Sequence, residues 1–234
     1  MKTFMRGLRA GIPIGLGYLS VSFTFGIMAV SYGFSWWQAV LISMLNVTSA
    51  GQFAGIGIMR ASVSWVEMLI SQLTINVRYS FMSISLSQKV DEKFKGISRW
   101  LLGFMMTDEI FAVAVSQEKV SRAFFTGLSI IPYLGWTLGT LIGALLGNVL
   151  PARLMSALSV AIYGMFVAIV VPEMKKSKSV VIVVLLAIAL SSMFYYIPVL
   201  AEHVSGGISI SICAIAAALA GAILFPVKEE EEKI

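Results

Sequence analysis

The chain is poor in the residues with which most enzymes and metalloproteins do chemistry. Its 234 residues include one cysteine, Cys213, and one histidine, His203. A single cysteine excludes an internal disulfide and a cysteine-based metal cluster, so we predict no metal and no cofactor. The HExxH, GxSxG and P-loop patterns are absent as well. ATP hydrolysis within this chain, and an enzymatic function in general, are therefore not expected.

Charge is scarce too. Only 12% of the residues are charged, 58% are hydrophobic, and the mean hydropathy is +0.90. Apolar stretches of about 20 residues recur along the chain, which is the length that crosses a hydrocarbon core of roughly 30 Å. The net charge of +5 comes from clusters at residues 2–9, 88–99 and 175–178. Clusters between apolar stretches are typical of a membrane protein that obeys the positive-inside rule, not of nucleic-acid binding.

The fold class is therefore predicted to be all-α, a polytopic transmembrane helix bundle with about seven to eight membrane segments. Residues 1–227 form a single integral membrane domain in the lipid bilayer, and residues 228–234 form a charged tail. The eight apolar segments are 11–32, 37–59, 63–87, 100–117, 123–147, 152–172, 179–200 and 205–226.

The basic loop at residues 88–99 limits the possible topologies. Eight full crossings with the N-terminus inside would place this loop outside, against the positive-inside rule. One re-entrant segment before it would move it inside. Segment 37–59 is the better candidate, because its amides, hydroxyls and glycines make it a poor lipid-facing helix.

A weak internal repeat appears when the chain is shifted by 113 positions, so that residues 39–53 meet residues 152–166. The shift aligns Gly26 with Gly139 and Gly51 with Gly164. It divides the chain into repeats at about 10–117 and 123–226. Many secondary transporters are built from two such repeats and bind substrate between them.

Segment three carries an unusual number of polar residues for a membrane helix. Gln72, Asn76, Tyr79 and Ser83 form one polar stripe, and Arg78 lies on the nearly opposite side. On a regular helix Asn76 and Arg78 diverge by about 200°. Either the helix unwinds between them or they serve different partners.

Two functions are open for Arg78. A guanidinium can clamp an anion such as an amino-acid carboxylate. It can also form a structural ion pair with Asp108 or Glu109, and the two functions are compatible. Buried carboxylates resist ionisation unless a cation lies near, so Asp108 and Glu109 are candidates for proton coupling; the alternative is a purely structural role.

The run at residues 48–53 places small residues beside a polar amide, either to coordinate a ligand or to pack two helices closely. Together these patterns give six candidate substrate-binding residues, Gln52, Gly51, Ser49, Asn76, Arg78 and Tyr79.

Several of these motifs, in this order, resemble the azaleucine-resistance (AzlC-type) branched-chain amino acid permeases. The motifs are Pro13 with Gly17-Tyr18, Gly26, residues 50–53, Asn76-x-Arg78-Tyr79, residues 107–109, and Trp136 followed by Gly139, Gly143 and Gly147.

The resemblance implies export of valine, leucine, isoleucine and their analogues across the bacterial plasma (inner) membrane. It also implies a small, hydrophobic AzlD-like partner subunit. The family's polar positions fall on Gln52, Asn76, Arg78, Asp108 and Glu109.

Two positions depart from the family pattern. Tyr79 stands where the family often has a histidine, and Ser159 where it often has an acidic residue. If those groups carry protons elsewhere in the family, this chain must use Asp108 or Glu109, or couple transport differently.

Three functions remain open from the sequence. The first is a secondary transporter, for which the ionisable residues within the membrane argue. The second is a passive channel for small solutes, lined by the glycine-rich segments. The third is a membrane scaffold that transports nothing.

Overall fold

A computed structural model describes residues 2–61, 64–92, 94–146, 167, 170–172 and 174–226. Ten helices are bounded within these residues. They are α1 (Lys2–Ser31), α2 (Trp36–Leu45), α3 (Ser49–Arg60), α4 (Trp65–Ser87), α5 (Ile97–Phe104), α6 (Asp108–Val115), α7 (Arg122–Leu146), α8 (Lys178–Tyr196), α9 (Pro198–His203) and α10 (Gly206–Leu224). The prediction of an all-α polytopic bundle is confirmed.

Helices α1 and α7 run parallel and form the frame of the fold. A Cβ atom on Gly7 would strike the backbone of Phe124, and one on Gly26 would strike the backbone of Thr140, so the two helices keep the same direction throughout. The contact is lined by glycines from both helices, namely Gly7, Gly11, Gly15, Gly26, Gly127, Gly135, Gly139 and Gly143. The missing side chains let the two backbones touch, as in other small-residue interfaces in membranes.

The predicted re-entrant segment is a helical hairpin, which we call hairpin A (residues 36–60). Helix α2 starts beside the end of α1 and descends to about half depth, where Thr140 of α7 contacts Ser43. The chain is extended at residues 46–48, and α3 then returns to the side from which α2 came. The return is shown by the hydrogen bond from Gln52 to Ser43 and by Arg60, which lies over the Tyr32 ring at 4.3 Å.

The sequence predicts one membrane segment at residues 100–117, and here the contacts correct it. This region is a second hairpin, hairpin B (residues 97–115), which enters from the opposite side. Helix α5 rises until Phe104 meets Tyr133 of α7, with ring centroids 6.4 Å apart. Helix α6 then descends along α1, and the chain after it reaches Arg6, whose Nη2 donates to Gln117 at 3.0 Å.

Helix α4 crosses between the two faces of the protein. It starts beside the end of α3, where Gly55 faces Met68, and it ends near Leu86, which packs with Phe94 and Phe125 at the start of α7. The loop at residues 88–96 therefore lies on the same face as the N-terminus and Arg122. The positive-inside rule makes this face cytoplasmic, so hairpin A removes the conflict over the basic loop.

Helices α8 and α10 form an antiparallel pair beside this core. Helix α10 starts at the non-cytoplasmic face, where the Gly207 N–H donates to Glu67 Oε1 at 3.1 Å, and a Cβ on Gly221 near its end would meet Val183 of α8. Helices α1, α7, α8 and α10 are long and apolar enough to span a membrane. Predicted segment 152–172 lies mostly outside the described residues, as does the aligned part of the second repeat (152–166).

Candidate functional site

The tips of the two hairpins meet at half depth beside α4. A cavity of about 260 Å³ lies between them, and we call it the tip cavity. It is just smaller than the roughly 300–1,000 Å³ of sites for drug-sized ligands, so it suits a smaller molecule. Its lining is part polar and part apolar: Leu45, Asn46, Val47, Thr48, Asn76, Tyr79, Ser83, Gly103, Phe104 and Met106.

A larger cavity of about 710 Å³ lies on the cytoplasmic side of the tips, and we call it the vestibule. It shares Ser83, Gly103, Phe104 and Met106 with the tip cavity. Its other walls come from the cytoplasmic end of α4, the basic loop, the start of α5 and Phe125 of α7. A small solute could therefore approach the hairpin tips from the cytoplasmic face.

The two helices that start at the tips, α3 and α6, differ in whether a side chain caps the backbone N–H groups of the first turn. Thr107 caps α6 by accepting a hydrogen bond from the Ile110 N–H at 3.4 Å, and two carboxylates occupy its first turn. Thr48, at the corresponding position of α3, makes no such cap. Its hydroxyl instead donates to Asn76 Oδ1 at 2.7 Å. The start of α3 thus keeps uncapped backbone N–H groups, which favour an anion.

Asn76 takes part in a chain of side-chain amides along α4. Its Nδ2 donates to Gln72 Oε1 at 3.1 Å, and the Gln72 Nε2 donates to the Gly51 carbonyl at 2.8 Å. A Cβ on Gly51 would lie 2.7 Å from the Gln72 Oε1, so a larger residue here would displace the Gln72 amide from this position. Ser49 follows Thr48 in the first turn of α3.

Arg78 forms an ion pair with Asp108, with the Nη1 and Oδ2 atoms 2.6 Å apart. Helix α4 is continuous here, so Asn76 and Arg78 serve different partners, the second of the two predicted alternatives. The two side chains of the pair are 41% and 45% exposed, whereas the Arg78 Nε atom is itself buried and has no hydrogen-bond partner. The exposed part of the guanidinium could therefore contact a ligand in addition to Asp108.

Tyr79 connects this ion pair to the tip cavity. It lines the cavity, and its hydroxyl lies 3.4 Å from the Arg78 Nη2. The same hydroxyl faces the side chain of Thr48 at the start of α3. The guanidinium and the uncapped helix end therefore both border one region around the Tyr79 hydroxyl, and that region favours an anion.

Glu109 faces away from Asp108 and does not reach Arg78 in this structure. Its carboxylate is hydrogen-bonded to the Tyr18 hydroxyl, which also lies 2.6 Å from Thr107 Oγ1. The two adjacent carboxylates thus have separate partners, as expected for neighbouring positions on a helix.

Gln52 lies outside the tip cavity and is 1% exposed. Its Oε1 accepts a hydrogen bond from the Trp136 indole at 3.0 Å, and its Nε2 donates to Ser43. In this conformation the amide joins both helices of hairpin A to α7. A role for Gln52 in substrate binding stays a prediction.

The chain matches the family described as AzlC protein over residues 13–150. It belongs to the AzlC family. This AzlC-family chain is 35% identical over 174 residues to an uncharacterized membrane protein of Archaeoglobus fulgidus, covering 74% of this chain and 76% of that one.

Two other relatives of this AzlC-family chain carry names. Over 208 residues it is 28% identical to the inner membrane protein YgaZ of Escherichia coli, with 84% of each chain covered. Over 171 residues it is 24% identical to the branched-chain amino acid transport protein AzlC of Bacillus subtilis, covering 71% of this chain and 66% of that protein. No solved structure matches the chain.

The region matched to the AzlC family contains both hairpins and every candidate residue named above. The predicted binding set left out several contributors to the site of this AzlC-family protein, among them Phe104 and Met106 of the tip cavity, and it gave no role to Tyr18 or Trp136. A threonine inside each of two predicted segments was a local signal for the tips, because Thr48 and Thr107 are N-cap residues and stand where α3 and α6 begin. Within the described ranges, no cluster of His, Cys, Asp and Glu side chains could hold a metal.

Proposed function

We propose that this AzlC-family protein is a proton-coupled secondary transporter that exports branched-chain amino acids, and that it is not an enzyme. The observation that carries the proposal is the small cavity between two hairpin tips at half depth, whose lining residue Tyr79 contacts Arg78 of the Arg78–Asp108 ion pair. Transporters commonly bind substrate at the midplane, between interrupted helices whose ends face its charged groups.

The cavity matches the chemistry of an aliphatic zwitterion. Phe104, Met106 and Val47 offer an apolar wall for a branched side chain. The substrate carboxylate lies near Tyr79, where the exposed part of the Arg78 guanidinium and the start of α3 favour an anion. The substrate ammonium group pairs with Asp108. A neutral ion pair thus opens to admit a neutral zwitterion, and each charge exchanges one partner for another.

This arrangement makes a proton and the substrate compete. An ionised Asp108 attracts the substrate ammonium group, whereas a protonated Asp108 does not. A proton that enters from outside would therefore expel the substrate, and its loss to the cytoplasm would restore the site. That order of events is proton-driven export, and the vestibule lies on the face from which the substrate would enter.

We also propose that the chain acts as the large subunit beside a small, hydrophobic AzlD-like partner in the bacterial plasma (inner) membrane. Support comes from the resemblance and from the relative named as an inner membrane protein. Copurification of the two chains after joint expression would test the partnership, and separate elution under the same conditions would contradict it.

Transport by proteoliposomes tests the proposed mechanism. Vesicles that contain the protein, alone and with the partner subunit, are loaded with labelled leucine or valine and diluted into buffers of defined pH. We expect saturable efflux that accelerates with an inward proton gradient, together with counterflow of unlabelled leucine. Efflux that ignores a collapsed gradient would refute the coupling, and efflux without counterflow would indicate the passive channel. If no transport is observed, the membrane scaffold that transports nothing is the remaining function.

Substitutions test which residue binds each charged group of the substrate. Asp108→Asn removes one charge-assisted contact of about 1.5–3 kcal/mol, so the apparent affinity for leucine should fall about ten- to hundredfold and lose its dependence on pH. Arg78→Ala should remove binding through loss of the carboxylate clamp. Glu118→Gln, an exposed carboxylate at the cytoplasmic face, is the matched control and should behave as wild type. Unchanged affinity in Asp108→Asn would refute the proposed ammonium site.

A further inference from the structure

Tyr18 stands between the two hairpins, and the transport scheme above gives it no function. It lies near the middle of α1, where its hydroxyl contacts both Thr107 Oγ1 and the Glu109 carboxylate. A phenol has one proton, so it can donate to only one of these two groups at a time. Thr107 Oγ1 already accepts the Ile110 N–H that caps α6.

The charge of Glu109 sets the direction of these hydrogen bonds, because the Tyr18 and Thr107 hydroxyls each have only one proton to donate. When Glu109 is ionised, the Thr107 hydroxyl donates to the Tyr18 oxygen, and Tyr18 donates to the carboxylate. When the Oε2 atom of Glu109, which contacts the Tyr18 hydroxyl, takes up a proton, it can donate to the Tyr18 oxygen. Tyr18 then turns its own proton to Thr107, and the Thr107 hydroxyl proton must find another acceptor. One added proton thus reorganises all three groups.

On its other side, Tyr18 is connected to hairpin A through Trp136. Its ring stands edge-on to the ring of Trp136, with centroids 5.4 Å apart and an interplanar angle of 74°. Trp136 is 2% exposed, and its indole N–H donates to Gln52. Gln52 in turn donates to Ser43, whose hydroxyl lies 2.6 Å from that of Thr140. Both helices of hairpin A are therefore held through the indole that Tyr18 touches.

We propose that Tyr18 is a positioning residue that transmits the protonation state of Glu109 to hairpin A through Trp136. The inference rests on the proposed proton coupling, and it gives the two carboxylates different functions. Asp108 meets the substrate and Arg78, while Glu109 sets the position of the Tyr18 ring and hence of the indole that anchors Gln52. Coupling between separate sites requires such a physical link between two arrangements.

Among the described residues, few titratable or charged groups surround Tyr18 and Glu109. Tyr18 of α1 contacts Glu109 directly, Tyr79 of α4 lies near Tyr18, and Asp108, the neighbour of Glu109 on α6, pairs with Arg78. A pH response of the link must therefore be separated from a response of the Arg78–Asp108 pair. Glu109→Gln and Tyr18→Phe both leave that pair in place, so a response that comes from the pair would persist in these variants.

Fluorescence of Trp136 tests the link without any substrate. Phenylalanine replaces Trp36, Trp37, Trp65 and Trp100, all of which are more than half exposed, so that Trp136 is the remaining tryptophan. We expect its emission to change with pH in detergent or nanodiscs. Glu109→Gln and Tyr18→Phe should each abolish the change, whereas the control Glu118→Gln should keep it. A pH response that persists in either Glu109→Gln or Tyr18→Phe would overturn the proposal.

A double-mutant cycle on leucine affinity provides the second measurement. Glu109→Gln should change the affinity at least fivefold in the wild-type background, as is typical of coupled sites, and leave it unchanged in the Tyr18→Phe background. Equal effects in both backgrounds would refute transmission through Tyr18. A cooperative thermal unfolding transition in each variant serves as the control that the variant is folded. If wild-type protein binds no leucine, the proposed function fails, while the fluorescence test of the link still applies.

Discussion

The glycine contact between α1 and α7 permits a quantitative prediction, because two glycines of α1 differ in what surrounds them. A Cβ on Gly11 would lie 2.5 Å from the Leu128 carbonyl oxygen and 3.2 Å from the Pro132 Cδ, whereas a Cβ on Gly17 would meet nothing within 4 Å. Ordinary contacts of a Cβ lie at 3.4–4 Å. Gly11→Ala therefore forces the two helices apart by a sizeable fraction of an ångström, since the obstacle is backbone.

The magnitude follows from comparing the two variants. Alanine in place of glycine stabilises a helix by roughly 0.5–1 kcal/mol, and this gain is common to Gly11→Ala and Gly17→Ala. Overpacking costs roughly 1–3 kcal/mol and applies to Gly11→Ala alone. The free energy of unfolding should thus differ by about 1–3 kcal/mol between the variants, with Gly17→Ala the more stable.

Reversible unfolding in mixed micelles, followed by circular dichroism, measures this difference. Equal stability of the two variants, or a more stable Gly11→Ala protein, would refute the parallel α1–α7 contact. Because this contact supports both hairpins, Gly11→Ala should also slow transport, whereas Gly17→Ala should not.

Two further predictions concern Gln52 and the topology. Gln52→Leu leaves the buried Trp136 N–H without its acceptor, while Ser43 keeps its contact with Thr140, so the change should cost about 1–3 kcal/mol in the free energy of unfolding. Unchanged stability with weakened leucine binding would instead make Gln52 the substrate ligand that its sequence context suggests. For the topology, single cysteines are introduced at Ser31 and Ala61, the exposed positions on either side of hairpin A, in a Cys213→Ala background. An impermeant thiol reagent should label both from the same, non-cytoplasmic side of the membrane, and labelling from opposite sides would show that hairpin A crosses it.

The sequence alone was sufficient for the class of fold and for the main features of its topology. Long apolar stretches require helices, because backbone polar groups in lipid must find partners within the chain. The polar, glycine-rich composition of residues 37–59 and the position of the basic loop together predicted a re-entrant segment. The 100–117 segment gave no comparable signal, because its apolar residues suit a crossing helix as well as a hairpin.

What each polar residue contacts was decided only by the tertiary structure. Helical geometry separated Asn76 from Arg78 and Asp108 from Glu109, but angles on one helix do not name partners on another. The pairing of Arg78 with Asp108, the contact of Glu109 with Tyr18 and the burial of Gln52 against Trp136 join residues that are 30, 91 and 84 positions apart, so all depend on how hairpins and helices pack. The sequence placed scarce polar groups in a membrane, and only packing decided which of them meet at a cavity and which hold the hairpins in place.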